Sequence, residues 1–461
     1  MIARRIRCLF AIAALVLISG CFLEERMFWS PDGRRAAVIV PQGLCLMDTN
    51  GNLSAPLISD VTYAAWLPDG QGLVILRHIA ATNWQEIGRL ISPQEKVMLE
   101  GFAAGLPGLI TGALEASGGD MSTIEEKFFK PLKIELGPAF LAAIICLRDT
   151  KPETFSNLLA RVSNPEQLEL SKADEAIVQE LSVVRLDGDK LAGQPLVLER
   201  TLAALSEPRP SPSTAVVAFL RDNVLTVAPL GGGTNRVTVN DKIGGSYDWT
   251  PDGKALVYAA GLSEEWKNGD MNIANVQRRV VIGGAGELVE GESVLLAAGA
   301  FPFNARVRCL PDGRVLFASL AIQLPAGANA ASEARFYVVD PAAGTNAAPI
   351  AIPTAPKALP ADLSGFAVSP DGRYVVIGEY GSDSIALLEI ATGRLEVISP
   401  NRGARNRTMP AWRSDELYFA ALPEAGAKRP EWMRWRKGGT AQVFSGRWPN
   451  SAVENLVEIQ K

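Results

Sequence analysis

Histidine is nearly absent from this chain of 461 residues: His78 is the sole example. A Ser-His-Asp triad would have to use it, and a metal site assembled from several histidines is excluded. No Gly-x-Ser-x-Gly segment occurs, which removes the familiar serine nucleophile on a strand-turn-helix elbow. Positive charge is not in excess either. The net charge is −5, and removing the first 20 residues with Arg4, Arg5 and Arg7 takes it to −8, so nothing draws the whole protein to nucleic acid. Cysteine is scarce: beyond Cys8 and Cys21 near the N-terminus only Cys45, Cys146 and Cys309 remain, an odd set in apolar surroundings. They read as small buried hydrophobes rather than a disulfide framework. Apolar runs are short. Leu9 to Ile18 and Pro138 to Leu147 each fall well under the roughly 20 residues of a membrane-spanning helix. Gly231-Gly232-Gly233 and Gly283-Gly284 lack the strand and helix that flank a phosphate loop, and read as turns. Asp187-Gly188-Asp189 and Asp48-Thr49-Asn50-Gly51 resemble pieces of calcium loops without the distal bidentate Glu. No catalytic residue, metal or cofactor is therefore assigned.

What the chain does have is turns, with 42 Gly and 30 Pro beside 48% hydrophobic residues, and they recur in one frame. The repeats are FWSPDGRRAAVIV from Phe28, AAWLPDGQGLVIL from Ala64, YDWTPDGKALVYA from Tyr247, VRCLPDGRVLFAS from Val307 and FAVSPDGRYVVIG from Phe366. Degenerate copies start at Pro210 (PSPSTAVVAF) and Pro410 (PAWRSDELYFA), making seven. In each full copy Pro presets φ at the second turn position, Gly two places later returns the chain, and an apolar, β-branched run follows. The Asp of each tip reads as turn chemistry rather than a catalytic acid. A second hairpin follows most tips, as in LCLMDTNGNLSAPLI from Leu44 and IALLEIATGRLEVI from Ile385. Two hairpins per unit of about 40 to 60 residues make a four-stranded antiparallel blade, so the fold class is all-β, a β-propeller of about seven blades. Ring closure is expected to bring Ala452 to Glu458 near the first strand at Phe28.

The aromatic-x-Pro-Asp-Gly repeat resembles the TolB-type propeller repeat over nearly the whole chain after residue 20, apart from one insert. That resemblance implies a binding propeller of the bacterial envelope. The related propeller-capped serine peptidases carry a further α/β-hydrolase domain, for which this length leaves no room. The N-terminus, MIARRIRCLFAIAALVLISGC, has three arginines, an apolar core and small residues at its end, and reads as a signal peptide over residues 1–20. Ile18, Ser19, Gly20 and Cys21 resemble a bacterial lipobox, which implies an acylated Cys21 as the first residue of the mature, periplasmic-side lipoprotein. Phe22 in place of Asp after the cysteine implies sorting to the outer membrane. Met27 already opens the first blade, so the tether spans about six residues and about 20 Å.

One blade is interrupted. From the Pro of the first tip to the Gly of the second, blade one takes 20 residues (Pro31 to Gly51), whereas blade two takes 120 (Pro68 to Gly188). The extra stretch, residues 80–180, is read as an all-α insert in blade two, dividing the propeller into 21–79 and 181–461. Its pattern is helical. Ser92-Pro93-Gln94-Glu95, Ser122-Thr123-Ile124-Glu125 and Thr150-Lys151-Pro152-Glu153 look like helix starts. Gly105 to Gly108 and Pro131 are expected to break helices, Met98, Phe102, Ile124, Phe128, Phe129, Leu158, Leu159 and Val162 to enter a small core, and Pro138 to Leu147 to form a buried helix.

Successive turns of an up-and-down blade alternate between the two faces of the disc, so the insert shares a face with the other second-to-third-strand loops and with the blade-to-blade connections. On that face lie Arg402, Arg405, Arg407, Lys428 and Arg429, a positive cluster on an acidic chain, together with Trp266. These are the candidate partner-binding residues, suited to an acidic protein or an anionic glycan, although charged loops are also ordinary solvated surface. Trp84, Trp266 and Trp448 fall outside the repeat frame and serve equally as contact or packing residues. Two functions follow. The first is a membrane-tethered, non-catalytic scaffold that binds an envelope protein; the alternative is a glycan-binding or carbohydrate-active propeller, with pairs such as Glu264 and Glu265, or Glu379 and Asp383, as its carboxylates.

Overall fold

The structure is a computed structural model, described here at residues 24–117, 137–161, 174–261, 272–301, 306–319, 321–322, 335–346, 349–353, 365–380, 384–399, 404–406, 408–424, 427–444 and 457–459. The tips fold by one local chemistry. The backbone N–H of Gly33, Gly70, Gly253, Gly313 and Gly372 donates to the carbonyl three residues back, at 2.8 to 2.9 Å, and each glycine takes φ between +65° and +90°. The intervening Asp closes an Asx turn by accepting from the backbone N–H two residues on, as Asp32 does from Arg34 and Asp252 from Lys254, both at 3.1 Å. In three tips a Ser or Thr hydroxyl also donates to that Asp at 2.6 Å. These aspartates are therefore turn acceptors, as their sequence setting suggested.

Seven antiparallel blades follow one another round a ring. Blade two is representative: an inner strand Val61–Trp66, then Gly72–Ala81, Ala176–Asp187 and an outer strand Leu196–Thr201. One long strand, Val237–Trp249, serves as the outer strand of blade three and the inner strand of blade four. Blade one has three regular strands, its outer edge being supplied by the bridges Leu44 to Ile58 and Met47 to Leu53.

The apolar face of each blade is buried against the next. Seven core clusters each join two neighbouring blades: Ile75 and Val184 sit with Leu46 between blades one and two, and Phe317 with Val276 between four and five. The last of the series packs Met27, Val38 and Cys45 of blade one against Tyr418 and Trp432 of blade seven. That cluster closes the ring. Polar contacts repeat the same neighbour rule. Arg413 of blade seven donates from Nε to Gly33 O at 2.8 Å and stacks 4.8 Å from the Trp29 ring centroid, and Arg35 of blade one donates from Nη2 to Gly70 O at 2.9 Å and stacks 5.1 Å from the Trp66 ring centroid. The C-terminal strand Val457–Ile459 pairs with Ala404–Asn406, ahead of blade seven, rather than with the strand at Phe28. Closure comes from side-chain packing between blades seven and one, which needs no strand exchange.

Four helices of the insert are described: α1 (Trp84–Leu90), α2 (Pro93–Ser117), α3 (Pro138–Thr150) and α4 (Pro152–Arg161). They share a core of their own, with Leu99, Leu106 and Ile110 of α2 against Phe140, Ile144 and Leu147 of α3 and Leu158 of α4. The helix Pro138 to Leu147 is buried as expected. Two expectations are corrected. α2 runs unbroken through Gly105 and Gly108 with Pro107 inside it, because one side is continuously packed and tertiary burial overrides propensity. Met98 is 69% exposed while its neighbour Leu99 is buried, so the inward stripe is one residue out of the expected phase. Phe102 and Leu159 are half-buried against that core. Ser122 to Glu125, Phe128, Phe129, Pro131 and Val162 lie outside the described residues.

Candidate functional site

The inner strands of all seven blades enclose a cavity of about 650 Å³ on the ring axis. The tip end of its wall carries Trp29, Trp66, Trp249 and Trp412. The indole N–H of Trp66 donates to Phe28 O at 2.7 Å and that of Trp249 to Arg209 O at 2.8 Å, so these rings are fixed by the neighbouring strand. Where other repeats place apolar residues, blades three, four and five place Arg209, Asp248 and Arg308, and the cavity is charged there.

A carboxylate from outside the repeat frame completes that cluster. Glu25, just ahead of the first strand, accepts from Arg306 Nη2 at 2.7 Å and from the Tyr63 hydroxyl at 3.2 Å, and lies 3.9 Å from Arg308 Nη2. Arg209 pairs with Glu207 at 3.3 Å and with Asp248 at 3.9 Å. Burial alone would raise the Glu25 pKa. Arg306, Arg209 and Arg308 overcome it and hold the carboxyl at about 2. The 27% of its side chain that stays accessible faces this channel. Burial and the adjacent Arg209 and Arg306 push the Arg308 guanidinium down to about 9, so a cluster with three arginines depends on its acids. Glu25 is in consequence a fixed counterion rather than a proton donor. The adjoining residue carries the chain away: Glu24 forms a bridge to Thr408, with Met409 N donating to Glu24 O at 2.8 Å.

The insert stands at the same end of the ring. The inner strand of blade two begins at Val61, opposite Arg77, but the second and third strands continue in register to Ala81 and Ala176 before the helices start. Ser92 Oγ accepts from Glu95 N at 3.2 Å, the first half of a capping box. The Glu95 carboxylate goes elsewhere, accepting from Thr201 Oγ1 at 2.9 Å and Leu202 N at 2.8 Å and locking α2 to blade two. Replacing Glu95 with Ala is expected to cost about 1–2 kcal/mol. It should also raise amide exchange in the insert while leaving the other blades protected, as hydrogen exchange would report.

Of the candidate binding residues read from sequence, Lys428 and Arg429 are exposed on the loop leading to Glu431–Arg436, with Arg429 Nε 3.9 Å from Glu431. Arg405 lies on the strand Ala404–Asn406. Cys21, Trp266, Arg402, Arg407 and Trp448 lie outside the described residues, as do Glu264, Glu265 and Asp383. Trp84 is a packing residue, buried at the base of the insert. Cys45, Cys146 and Cys309 are free, their thiols pushed up by burial. His78 sits mid-strand opposite Gln179, its pKa lowered by burial. Among the described residues no three His, Cys, Asp or Glu side chains gather as a metal site. The Glu25 cluster went unread in the sequence, although Arg209 and Arg308 signalled it by interrupting an otherwise apolar repeat position.

No family model matches the chain, and no curated protein matches it. Among solved structures it is similar to TolB from Acinetobacter baumannii, at 16% identity and a TM-score of 0.35, over 57% of this chain and 61% of that one. It thus covers less than two thirds of that TolB. It is also similar to hydrazine synthase from Kuenenia stuttgartiensis, at 12% identity and a TM-score of 0.45 over 90% of this chain and 96% of that one. A third is the Cps50 (Swd1) β-propeller domain of Myceliophteria thermophila, at 10% identity and a TM-score of 0.43 over 86% and 92%. Such remote overlaps carry no functional argument. The architecture stands on the chain's own strand order and its seven blade interfaces: it is a seven-bladed β-propeller with a helical insert in blade two.

Proposed function

We propose that this protein is a lipid-tethered, non-catalytic propeller of the bacterial envelope, held through Cys21 on the periplasmic side of the outer membrane, that binds an envelope protein on the face carrying the insert. The observation that carries the reading is the common placement of the insert and the first described residues. Glu24 and Glu25 are bound into the ring at the end from which the inner strands start, and the insert rises from that same end. A tether there presents one face to the membrane and to whatever lies on it. The lipobox resemblance supplies the tether, and the TolB resemblance the scaffold role. The arginine-paired Glu25 suits a fixed counterion in a binding channel, since an acid held at about 2 has no proton to give as a general acid at neutral pH.

Replacing Cys21 with Ala is expected to move the protein from the membrane fraction to the soluble fraction, or to leave it unprocessed. Acyl chains contribute about 0.8 kcal/mol per buried CH₂, and the variant lacks that contribution. Normal processing with unchanged membrane association in fractionated cells would overturn the tether.

A further inference from the structure

α2 has two sides of different character. Leu99, Ala103, Leu106, Ile110 and Ala113 face inward and are buried in the insert core. Outward lie Val97, 67% exposed, and Met98, 69% exposed, followed by the exposed Gly101, Ala104, Gly105, Gly108 and Gly112, an apolar strip bordered by the exposed Gln94, Glu100 and Glu115. A Cβ added at any of those four glycines would meet nothing within 4 Å. The stretch Pro93–Glu115 is long and apolar enough to cross a membrane. Its inner side is committed to α3, however, so it lies on the protein surface with one apolar flank uncovered.

The position of the chain's start decides what covers that flank. Only Phe22 and Leu23 separate Cys21 from Glu24, so an acylated Cys21 lies at most about 10 Å from a residue fixed to the ring. The strands that carry the insert extend four residues, His78 to Ala81, beyond the pairing of Arg77 with Val61, or about 13 Å at the rise of an antiparallel strand. Helices then stand on top. The insert therefore projects farther from this end of the ring than the tether reaches, and a bilayer holding the acyl chains meets the insert first. Blade one, which carries the tether, is the direct neighbour of blade two, and the Tyr63–Glu25 hydrogen bond links their channel ends.

We infer that the outward flank of α2, centred on Val97 and Met98, is a lipid-contacting surface that lies in the headgroup and acyl boundary of the membrane to which the protein is tethered. The inference rests on the tether proposed above and adds to it a fixed orientation: α2 in the lipid surface and the Pro-Asp-Gly tips turned away. The amphipathic α4 and the Lys428–Arg429 loop then remain for the protein partner. An interfacial helix of this kind sits about 5–10 Å into the boundary, within reach of quenchers on acyl chains.

The test uses the full acylated chain in vesicles of phosphatidylethanolamine and phosphatidylglycerol with brominated acyl chains. A fluorescent amino acid is placed at Val97, or at Lys254 on the tip face as a control. The expected result is flotation with the vesicles and quenching at Val97 at least about twofold greater than at Lys254. With the reporter moved to Ala104, the double substitution Val97→Glu, Met98→Glu should keep flotation and lose most of the quenching. Flotation without quenching at Val97 overturns the inference and leaves the tether standing. Failure to float overturns the tether and the inference together. A reporter at Val97 that becomes shielded without lipid, in proportion to protein concentration, assigns the flank to a second copy of the chain and also overturns the inference.

Discussion

Replacing Glu25 with Gln is expected to lower the stability of the folded protein by about 3 kcal/mol at pH 7, because the carboxylate moves from an ordinary pKa near 4.5 to about 2 on folding and each unit is worth about 1.4 kcal/mol. Gln keeps the shape and one acceptor oxygen, while its NH₂ replaces the second, so the charge and one of the two accepted hydrogen bonds are lost. The loss is therefore chiefly that of a counterion beside three arginines, and Ala should cost about as much or more because it also removes the acceptor of the Arg306 and Tyr63 hydrogen bonds. The direction with pH follows from the sign of the shift. A depressed carboxyl contributes its full stabilisation above its unfolded pKa and loses it as pH falls toward the folded value, so this contribution fades between about pH 4.5 and 2. Denaturant unfolding of the native protein should show that decline, and Glu25→Gln should lack the Glu25 share of it. Equal stability of the two proteins at pH 7 would show that residues 24–26 are not seated in the channel.

The uneven legibility of the sequence has physical causes. The five Pro-Asp-Gly tips are local chemistry: one residue fixes φ, one side chain accepts a neighbouring N–H, one glycine takes a positive φ, and all three act within six residues. The start of the insert was legible because a period of two gives way to a helical one near Ala81, where Asn83 caps α1 by accepting from Glu86 N at 2.9 Å. The break expected at Gly105 to Gly108 was not observed, since propensity is outweighed once Leu106 and Ile110 are packed on α3. The channel cluster was hidden for a different reason. Glu25 and Arg306 are 281 residues apart, and only ring closure brings an N-terminal residue to the inner strand of blade five. Closure itself was read correctly from the repeats, whereas the strand Val457–Ile459 and its pairing with Ala404–Asn406 were not read at all, because a three-residue strand carries no pattern of its own.

Removal of the insert should separate fold from function. Ala81 and Ala176 face each other as the last pair of the hairpin, so a two-residue Asn-Gly turn can join them and delete residues 82–175. The blade interfaces lie outside the deleted core, which touches the propeller chiefly through Ala81, Ala176, Val178 and Leu202 and the Glu95 hydrogen bonds. The expected product is a folded ring with unchanged β-sheet circular dichroism, destabilised by no more than about 2–3 kcal/mol for the apolar groups newly exposed. Its affinity for the envelope partner should fall by at least about tenfold, the equivalent of about 1.4 kcal/mol. An unfolded product would make the insert part of the propeller core and contradict its placement as a separate binding unit.

The claim that one face of a tethered ring does the binding is tested most directly by photo-crosslinking in living cells, with the reactive group at Asn157 on α4, at Lys428, or at Lys254 on the opposite face. All three positions are exposed. The account expects the same envelope protein to be captured from Asn157 and Lys428, not from Lys254, and for that capture to disappear in Cys21→Ala cells and, at Lys428, to weaken when residues 82–175 are removed. Capture from Lys254 alone, or capture at Asn157 that survives loss of Cys21 unchanged, would contradict it.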